Sequence, residues 1–128
     1  MDTAIQIFAI LNLGIIGLSH LIRPKAWIQF FILLREKGEA GVFAIGFLSL
    51  LFGSLIVSFH NIWTGIPAVL TVLGWAQILK ALIYFTLPAV GLRNLHGLSP
   101  EKERHFQIAG VLLLALASLL VFHLWVSG

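Results

Sequence analysis

Four long runs of apolar residues constrain this chain more than any other feature of its sequence. They cover residues 3–22, 40–60, 66–88 and 106–126, and Lys80 is the only Lys, Arg, Asp or Glu inside them. A helix rises 1.5 Å per residue, so about 20 apolar residues cross the hydrocarbon core of a bilayer, which is about 30 Å thick. We therefore expect an all-α polytopic membrane protein with four transmembrane helices.

The composition supports this expectation. The chain is 59% hydrophobic and 10% charged, whereas about 25% of the residues of a soluble domain are charged. This excludes a soluble globular protein, a disordered tail and a nucleic-acid-binding domain, so we expect no nucleic-acid partner. The absence of cysteine excludes disulfides and cysteine-ligated metals. A chain of 128 residues has the length of one domain, 1–128.

The basic residues predict an orientation. Seven of them lie in two of the three links between the apolar runs, and the link at 61–65 has none. The seven are Arg23, Lys25, Arg35, Lys37, Arg93, Lys102 and Arg104. Lys and Arg beside membrane helices stay in the cytoplasm. We expect a protein of the plasma (inner) membrane with both termini outside (N-out, C-out) and the basic links cytoplasmic.

Residues 24–37 are too short to span a bilayer but have an amphipathic pattern. Large apolar side chains recur there at helical spacing, namely Trp27, Phe30, Phe31 and Leu34. Pro24 suits the first turn of a helix and Gly38 its end. A helix with basic, Trp and Phe residues can lie in the plane of the membrane surface. We therefore expect a cytoplasmic interfacial amphipathic helix in addition to the four spans.

A weak internal similarity divides the chain into halves. A Leu-Gly pair at 13–14 recurs at 73–74, and a basic residue follows six positions after each Gly, His20 and Lys80. One interpretation is a pair of parallel two-helix repeats with a pseudo-two-fold axis along the membrane normal (1–63 and 64–128). The other is chance similarity between apolar helices.

Lys80 is the residue that most suggests a ligand. It lies about 5 Å inward of the middle of its run, and a central lysine costs about 2.5 to 3.5 kcal/mol to insert. Gln77, Lys80 and Tyr84 share one helix face, and His20 is equivalent to Lys80 if the repeat is real. These four residues form the candidate ligand-binding site, for an anion, a lipid headgroup or a proton. The alternative is a lysine that snorkels toward a lipid phosphate or a nearby glutamate.

His60 and His123 form a second candidate site, for a metal or a haem. Both lie at outer ends of apolar runs, and a Trp follows each within three residues. Two neutral imidazoles on facing helices could ligate a haem or metal from opposite sides. Alternatively, the helix dipole favours His at a helix C-terminus, and Trp is enriched at membrane interfaces. No cofactor is identified by the sequence alone.

Three segments, residues 17–27, 59–65 and 73–80, resemble small uncharacterised bacterial four-helix integral membrane proteins. This resemblance covers most of the chain and implies no activity. The length and helix number are similar to those of small multidrug antiporters, fluoride channels and membrane glutathione transferases. The chain lacks the acidic residue of the antiporters' first helix and the arginine-rich, carboxylate-bearing helices of the glutathione-binding family. Its charge bias opposes the dual topology of the fluoride channels.

Three functions follow from these observations. The first is an oligomeric or accessory membrane subunit, whose partners are membrane lipids and a homo-oligomer or membrane complex. The second is binding or transport of a small molecule or ion around Lys80 and His20, and the third is haem or metal binding by His60 and His123. No Ser-His-Asp set is plausible because Asp2 is the only aspartate. An enzyme therefore ranks well below the first two functions.

Overall fold

The structure is a computed structural model that describes residues 2–127. Over this range the chain is all-helical, and its six α-helices are α1 (Asp2–Ile22), α2 (Pro24–Glu36), α3 (Glu39–Phe59), α4 (Pro67–Thr86), α5 (Pro88–His96) and α6 (Glu103–Ser127). A short 3₁₀ turn, Pro100–Lys102, precedes α6. The helices α1, α3, α4 and α6 are long and apolar enough to cross a membrane. The predicted all-α fold with four candidate spans is confirmed.

The third apolar run ends earlier than its hydropathy predicts. We expected one helix over 66–88, but α4 ends at Thr86 and Pro88 begins α5. Leu87 has φ −131° and ψ 66°, which is outside the helical region, because the ring of a following proline disfavours that region. The separate helix α5 was not predicted.

Gly38 makes the sharp connection between α2 and α3, as expected. Its φ is +63°, a left-handed conformation that a residue with a Cβ atom adopts at a cost. The chain therefore turns from α2 into α3 within two residues, at Lys37 and Gly38.

The long helices pack as two close pairs, α1 with α6 and α3 with α4. Glycines allow the backbones to approach in both pairs. A Cβ atom on Gly110 would lie 2.6 Å from the carbonyl oxygen of Gly17, and one on Gly53 would lie 2.7 Å from that of Gly74. Neither pair could keep this separation with a side chain at these positions.

Two apolar cores lie at opposite ends of the molecule. At the end that holds both termini, which we call the termini end, all four long helices contribute to a core of Ile5, Ala9, Leu13, Ile56, Leu70, Ala117 and Leu120. At the other end, which we call the α2 end, the core consists of Val42, Ile45, Tyr84 and Leu95, and Phe31 and Leu34 of α2 pack against it. The α2 helix thus takes the place at the α2 end that α1 occupies at the termini end.

One face of the α2 helix packs into the protein, and its predicted place at a cytoplasmic membrane surface stays a prediction. Ile28 is 2% exposed, and α2 contacts α1, α3, α5 and α6. On the opposite face, Lys25 and Gln29 are exposed. The helix therefore bridges the two pairs.

The division into two parallel repeats stays a prediction. The repeat would make α1 equivalent to α4 and α3 equivalent to α6. The α1–α6 pair would then be equivalent to the α4–α3 pair, and the structure contains both pairs. The close glycine contacts, however, fall at positions that the repeat does not equate, Gly17 with Gly110 and Gly53 with Gly74.

Candidate functional site

Three buried polar side chains meet at the termini end, and we call them the polar cluster: Gln6, His60 and Thr71. Gln6 comes from the second turn of α1, His60 follows the last residue of α3, and Thr71 lies in the second turn of α4. Their side chains are 3%, 1% and 0% exposed. The polar cluster thus connects one helix of the first pair to both helices of the second.

The hydrogen bonds of the polar cluster define the protonation of His60. The amide nitrogen of Gln6 lies 3.1 Å from Nε2 of His60, and because an amide nitrogen only donates, Nε2 accepts. The Nδ1–H of His60 then donates to Oγ1 of Thr71, at 3.0 Å. The backbone N–H of Ile62 donates to the same oxygen, at 3.1 Å. His60 is therefore a neutral imidazole with both ring nitrogens engaged.

The surroundings of His60 favour this neutral form. His60 lies one residue beyond the end of α3. Burial lowers its pKa from the usual value, and this effect outweighs the attraction of Asp2, which raises the pKa, while the charge of His123 lowers it further. Asp2 belongs to α1 and His123 belongs to α6.

Gln6 carries one unmatched polar atom. Its Oε1 is buried and has no hydrogen-bond partner within residues 2–127. An unsatisfied buried acceptor costs about 1 to 3 kcal/mol. The polar cluster is therefore not fully satisfied by the chain itself.

The link between α3 and α4 is held by side chains next to the polar cluster. The indole N–H of Trp75 donates to Oδ1 of Asn61, at 3.3 Å, and the Asn61 amide donates to the carbonyl of Val57. Together with the bond from Ile62 to Thr71, these contacts fix both sides of the link.

The predicted Lys80 site is partly assembled. Lys80 is half-buried, and its Nζ lies 5.5 Å from the centre of the Tyr84 ring, within the range of a cation–π contact. Tyr84 is buried, and its hydroxyl oxygen accepts a hydrogen bond from the Asn94 amide at 3.3 Å. Gln77 lies one turn away, with its Cβ against α3 at Gly53. We call Gln77, Lys80 and Tyr84 the Lys80 site.

His20, the fourth predicted member, lies in a different cluster. Its Nδ1–H donates to the carbonyl of Ile16 at 2.8 Å. Its ring stacks on Trp27 at 4.2 Å and lies 5.8 Å from Phe106. We call the rings of His20, Trp27, Phe30, Phe31 and Phe106 the aromatic cluster.

Phe31 connects the aromatic cluster to the neighbourhood of the Lys80 site. Its ring stacks on Phe106 at 5.9 Å, with 5° between the planes. It also packs against the α2-end core that contains Tyr84. His20 and Lys80 are therefore linked through the aromatic side chains of α2, rather than placed face to face.

The proposed pairing of His60 with His123 stays a prediction. Both ring nitrogens of His60 are engaged by Gln6 and Thr71, so a metal would have to displace one of them. Among the residues that the structure describes, no group of three or more His, Cys, Asp or Glu residues could hold a metal ion.

Two partners in the polar cluster, Gln6 and Thr71, were missed by the sequence analysis. Each is an isolated polar residue within an apolar run, and this isolation was the available signal. Asn94 was missed because α5 was not predicted.

The surface at the α2 end has two open grooves. One, of about 290 Å³, is lined by Ser19, Ala26, Trp27 and Phe30. The other is an open strip along one face of α6, which we call the Arg104 groove, and it is lined by Arg104, Gln107, Ile108, Val111 and Leu112.

Comparisons of this chain with protein-family models, with curated proteins and with solved structures found no match.

Proposed function

We propose that this is an integral protein of the plasma (inner) membrane in which α1, α3, α4 and α6 span the bilayer. The directions of the helices support this orientation, because they gather the links that carry seven basic residues at the α2 end. The link at the termini end, residues 61–65, carries no charge. With the α2 end cytoplasmic, both termini lie outside and α2 lies at the inner surface.

Within this membrane protein, we propose that Lys80 binds a small anion that carries a carboxylate or phosphate group. One observation carries the proposal: a half-buried lysine in an apolar span contacts the ring of Tyr84, and α4 contains no acidic residue. The acidic residues of the other long helices, Asp2, Glu39 and Glu103, all stand in first turns. An ionisable residue inside a membrane span commonly marks a functional site.

The energetic cost of Lys80 depends on whether its ammonium has a counter-charge. A cation–π contact stabilises an ammonium by about 0.5 to 2 kcal/mol, which is less than the insertion penalty of about 2.5 to 3.5 kcal/mol. An anion at about 4 Å would contribute about 4 kcal/mol at an effective dielectric constant of 20. An anionic ligand would therefore offset the penalty that the aromatic contact leaves.

Thermal unfolding of the detergent-purified protein tests this function with inorganic phosphate and acetate as probes. We expect at least one of these anions to raise the midpoint of the unchanged protein. The variant Lys80→Met should lose this anion-dependent shift and keep equal or higher stability without anion. Lys25→Met is the matched control, because Lys25 is exposed on α2. An equal shift in Lys80→Met and in the unchanged protein would reject the proposal.

A second candidate function is a self-associating membrane subunit, and the coverage of α6 favours it. Only 17% of the most apolar stretch of α6 is buried, compared with 28% to 33% for the other spans. Small residues allow close helix contacts in membranes, and exposed Ala115 and Ser118 lie on α6. In this function a second copy of the chain covers α6 around Ala115 and Ser118, in the half of the helix toward the termini end.

Cysteine crosslinking tests self-association cleanly because the chain has no cysteine. Ser118→Cys places one thiol on the exposed face of α6. As a control, Ser58→Cys places one thiol at an exposed position of α3. A two-fold contact through α6 should give oxidised dimers of Ser118→Cys alone. Monomers in both variants would argue against this function.

A further inference from the structure

The Arg104 groove follows the first turns of α6, and its lining changes character along the helix. Arg104 is exposed and lies one residue after the helix begins, and Gln107 follows one turn later. The remaining lining residues, Ile108, Val111 and Leu112, are exposed and apolar. The groove therefore has a cationic polar end and an apolar continuation.

The dimensions of the Arg104 groove fit one chain of an amphiphile. Arg104 and Leu112 are eight residues apart, about 12 Å along the helix axis. One leaflet of the hydrocarbon core is about 15 Å thick, half of about 30 Å. A lipid headgroup at Arg104 would thus place its acyl chain beside the apolar residues of the groove.

The charge of the groove favours an anionic headgroup. An Arg guanidinium can bind a phosphate through two parallel hydrogen bonds, and the Gln107 amide can donate a further one. Glu103 precedes Arg104 and points about 100° around the helix from it, and Glu103 does not line the groove. A soluble anion would leave the apolar part of the groove unused, and an uncharged headgroup would leave the guanidinium unpaired.

We propose that the Arg104 groove binds an anionic phospholipid of the inner leaflet, with its phosphate on Arg104 and one acyl chain along Ile108, Val111 and Leu112. The proposal rests on the membrane orientation proposed above. It does not depend on anion binding at Lys80, because Lys80 lies on α4 and does not line this groove.

Native mass spectrometry of the full chain in detergent tests the proposal, with phosphatidylglycerol and phosphatidylcholine as probes. We expect the unchanged protein to bind phosphatidylglycerol more tightly. Arg104→Gln should weaken phosphatidylglycerol binding about fivefold, the effect of removing one cation near an anionic lipid surface. Phosphatidylcholine has the same phosphate beside a compensating choline cation, so its affinity should fall less. Leu112→Ser, at a 65% exposed position, should weaken the binding of both lipids.

Arg93→Gln is the matched control, because it removes the same charge from an exposed residue of α5 outside the groove. Unchanged phosphatidylglycerol affinity in Arg104→Gln, or an equal loss in Arg93→Gln, would overturn the proposal. A loss in Lys80→Met instead would assign the lipid to the Lys80 site and also overturn it. Failure of the proposed orientation is distinguishable, because a cysteine introduced into the link at 61–65 would then resist a membrane-impermeant maleimide applied to intact cells, and the native chain has no cysteine.

Discussion

The two ends of this molecule join the same helix pairs by different kinds of contact. At the termini end, α1 meets α3 and α4 through the directional hydrogen bonds of the polar cluster. At the α2 end, an additional helix lies between the pairs and contacts them through stacked rings and aliphatic side chains. Both ends bury apolar side chains, but at the termini end three buried polar side chains also form hydrogen bonds between helices of the two pairs. Removal of the side chain at the centre of these bonds, His60, should therefore destabilise the protein more than loss of a single hydrogen bond at the α2 end.

The largest expected effect is that of His60→Ala. This substitution leaves a cavity and removes the partner of both Gln6 and Thr71, so we expect a loss of about 3 to 4 kcal/mol in the free energy of unfolding. Reversible unfolding in mixed detergent micelles measures it. His96→Ala is the control, because His96 is exposed on α5. Equal effects of the two substitutions would break the contrast between the ends.

The next effect tests whether the α1–α6 pair depends on close backbone contact. Gly110→Ala places a Cβ 2.6 Å from the Gly17 carbonyl oxygen, so α1 and α6 must separate. Overpacking of this kind costs about 1 to 3 kcal/mol. Gly14→Ala is the matched control, because a Cβ there meets nothing within 4 Å. The same unfolding assay should register a loss in Gly110→Ala alone, and no loss would contradict the packing described.

A smaller effect is expected in the aromatic cluster. Trp27→Phe keeps an aromatic ring over His20 but removes the indole N–H that donates to Ser19 at 2.8 Å. We expect a loss of about 1 kcal/mol, the typical net value of one hydrogen bond. Ser19→Ala should cost a similar amount, and the double variant should cost less than the sum. Full additivity would show that the two side chains do not interact.

The smallest effect is expected for Gln6→Met, which sharpens the account of the polar cluster. The substitution removes the unmatched Oε1 but leaves Nε2 of His60 without a donor. One unsatisfied atom replaces another, so stability should change by less than about 1 kcal/mol. A loss above about 2 kcal/mol in unfolding experiments would mean that Oε1 has a partner outside this chain.

The four long apolar helices and α2 could be predicted because each is encoded in a local pattern of apolar residues. The contact of Lys80 with Tyr84 could also be predicted, since residues four apart share a helix face. The polar cluster could not, because His60 meets Gln6 from 54 residues away and helical periodicity does not specify which helices pack together. The break between α4 and α5 at Leu87 was not predicted for a different reason. Pro88 was visible in the sequence, but apolar residues on both sides concealed the break.

The pairing of α1 with α6 has a consequence for biosynthesis. The glycines that bring these two helices together, Gly17 and Gly110, are separated by most of the chain, whereas α3 and α4 are neighbours in sequence. A ribosome adds about 5 to 20 residues per second, so α1 waits roughly 5 to 20 s for its partner to be synthesised. During that interval the Gly17 surface is open to other newly made helices, and α6 covers it once it has been synthesised.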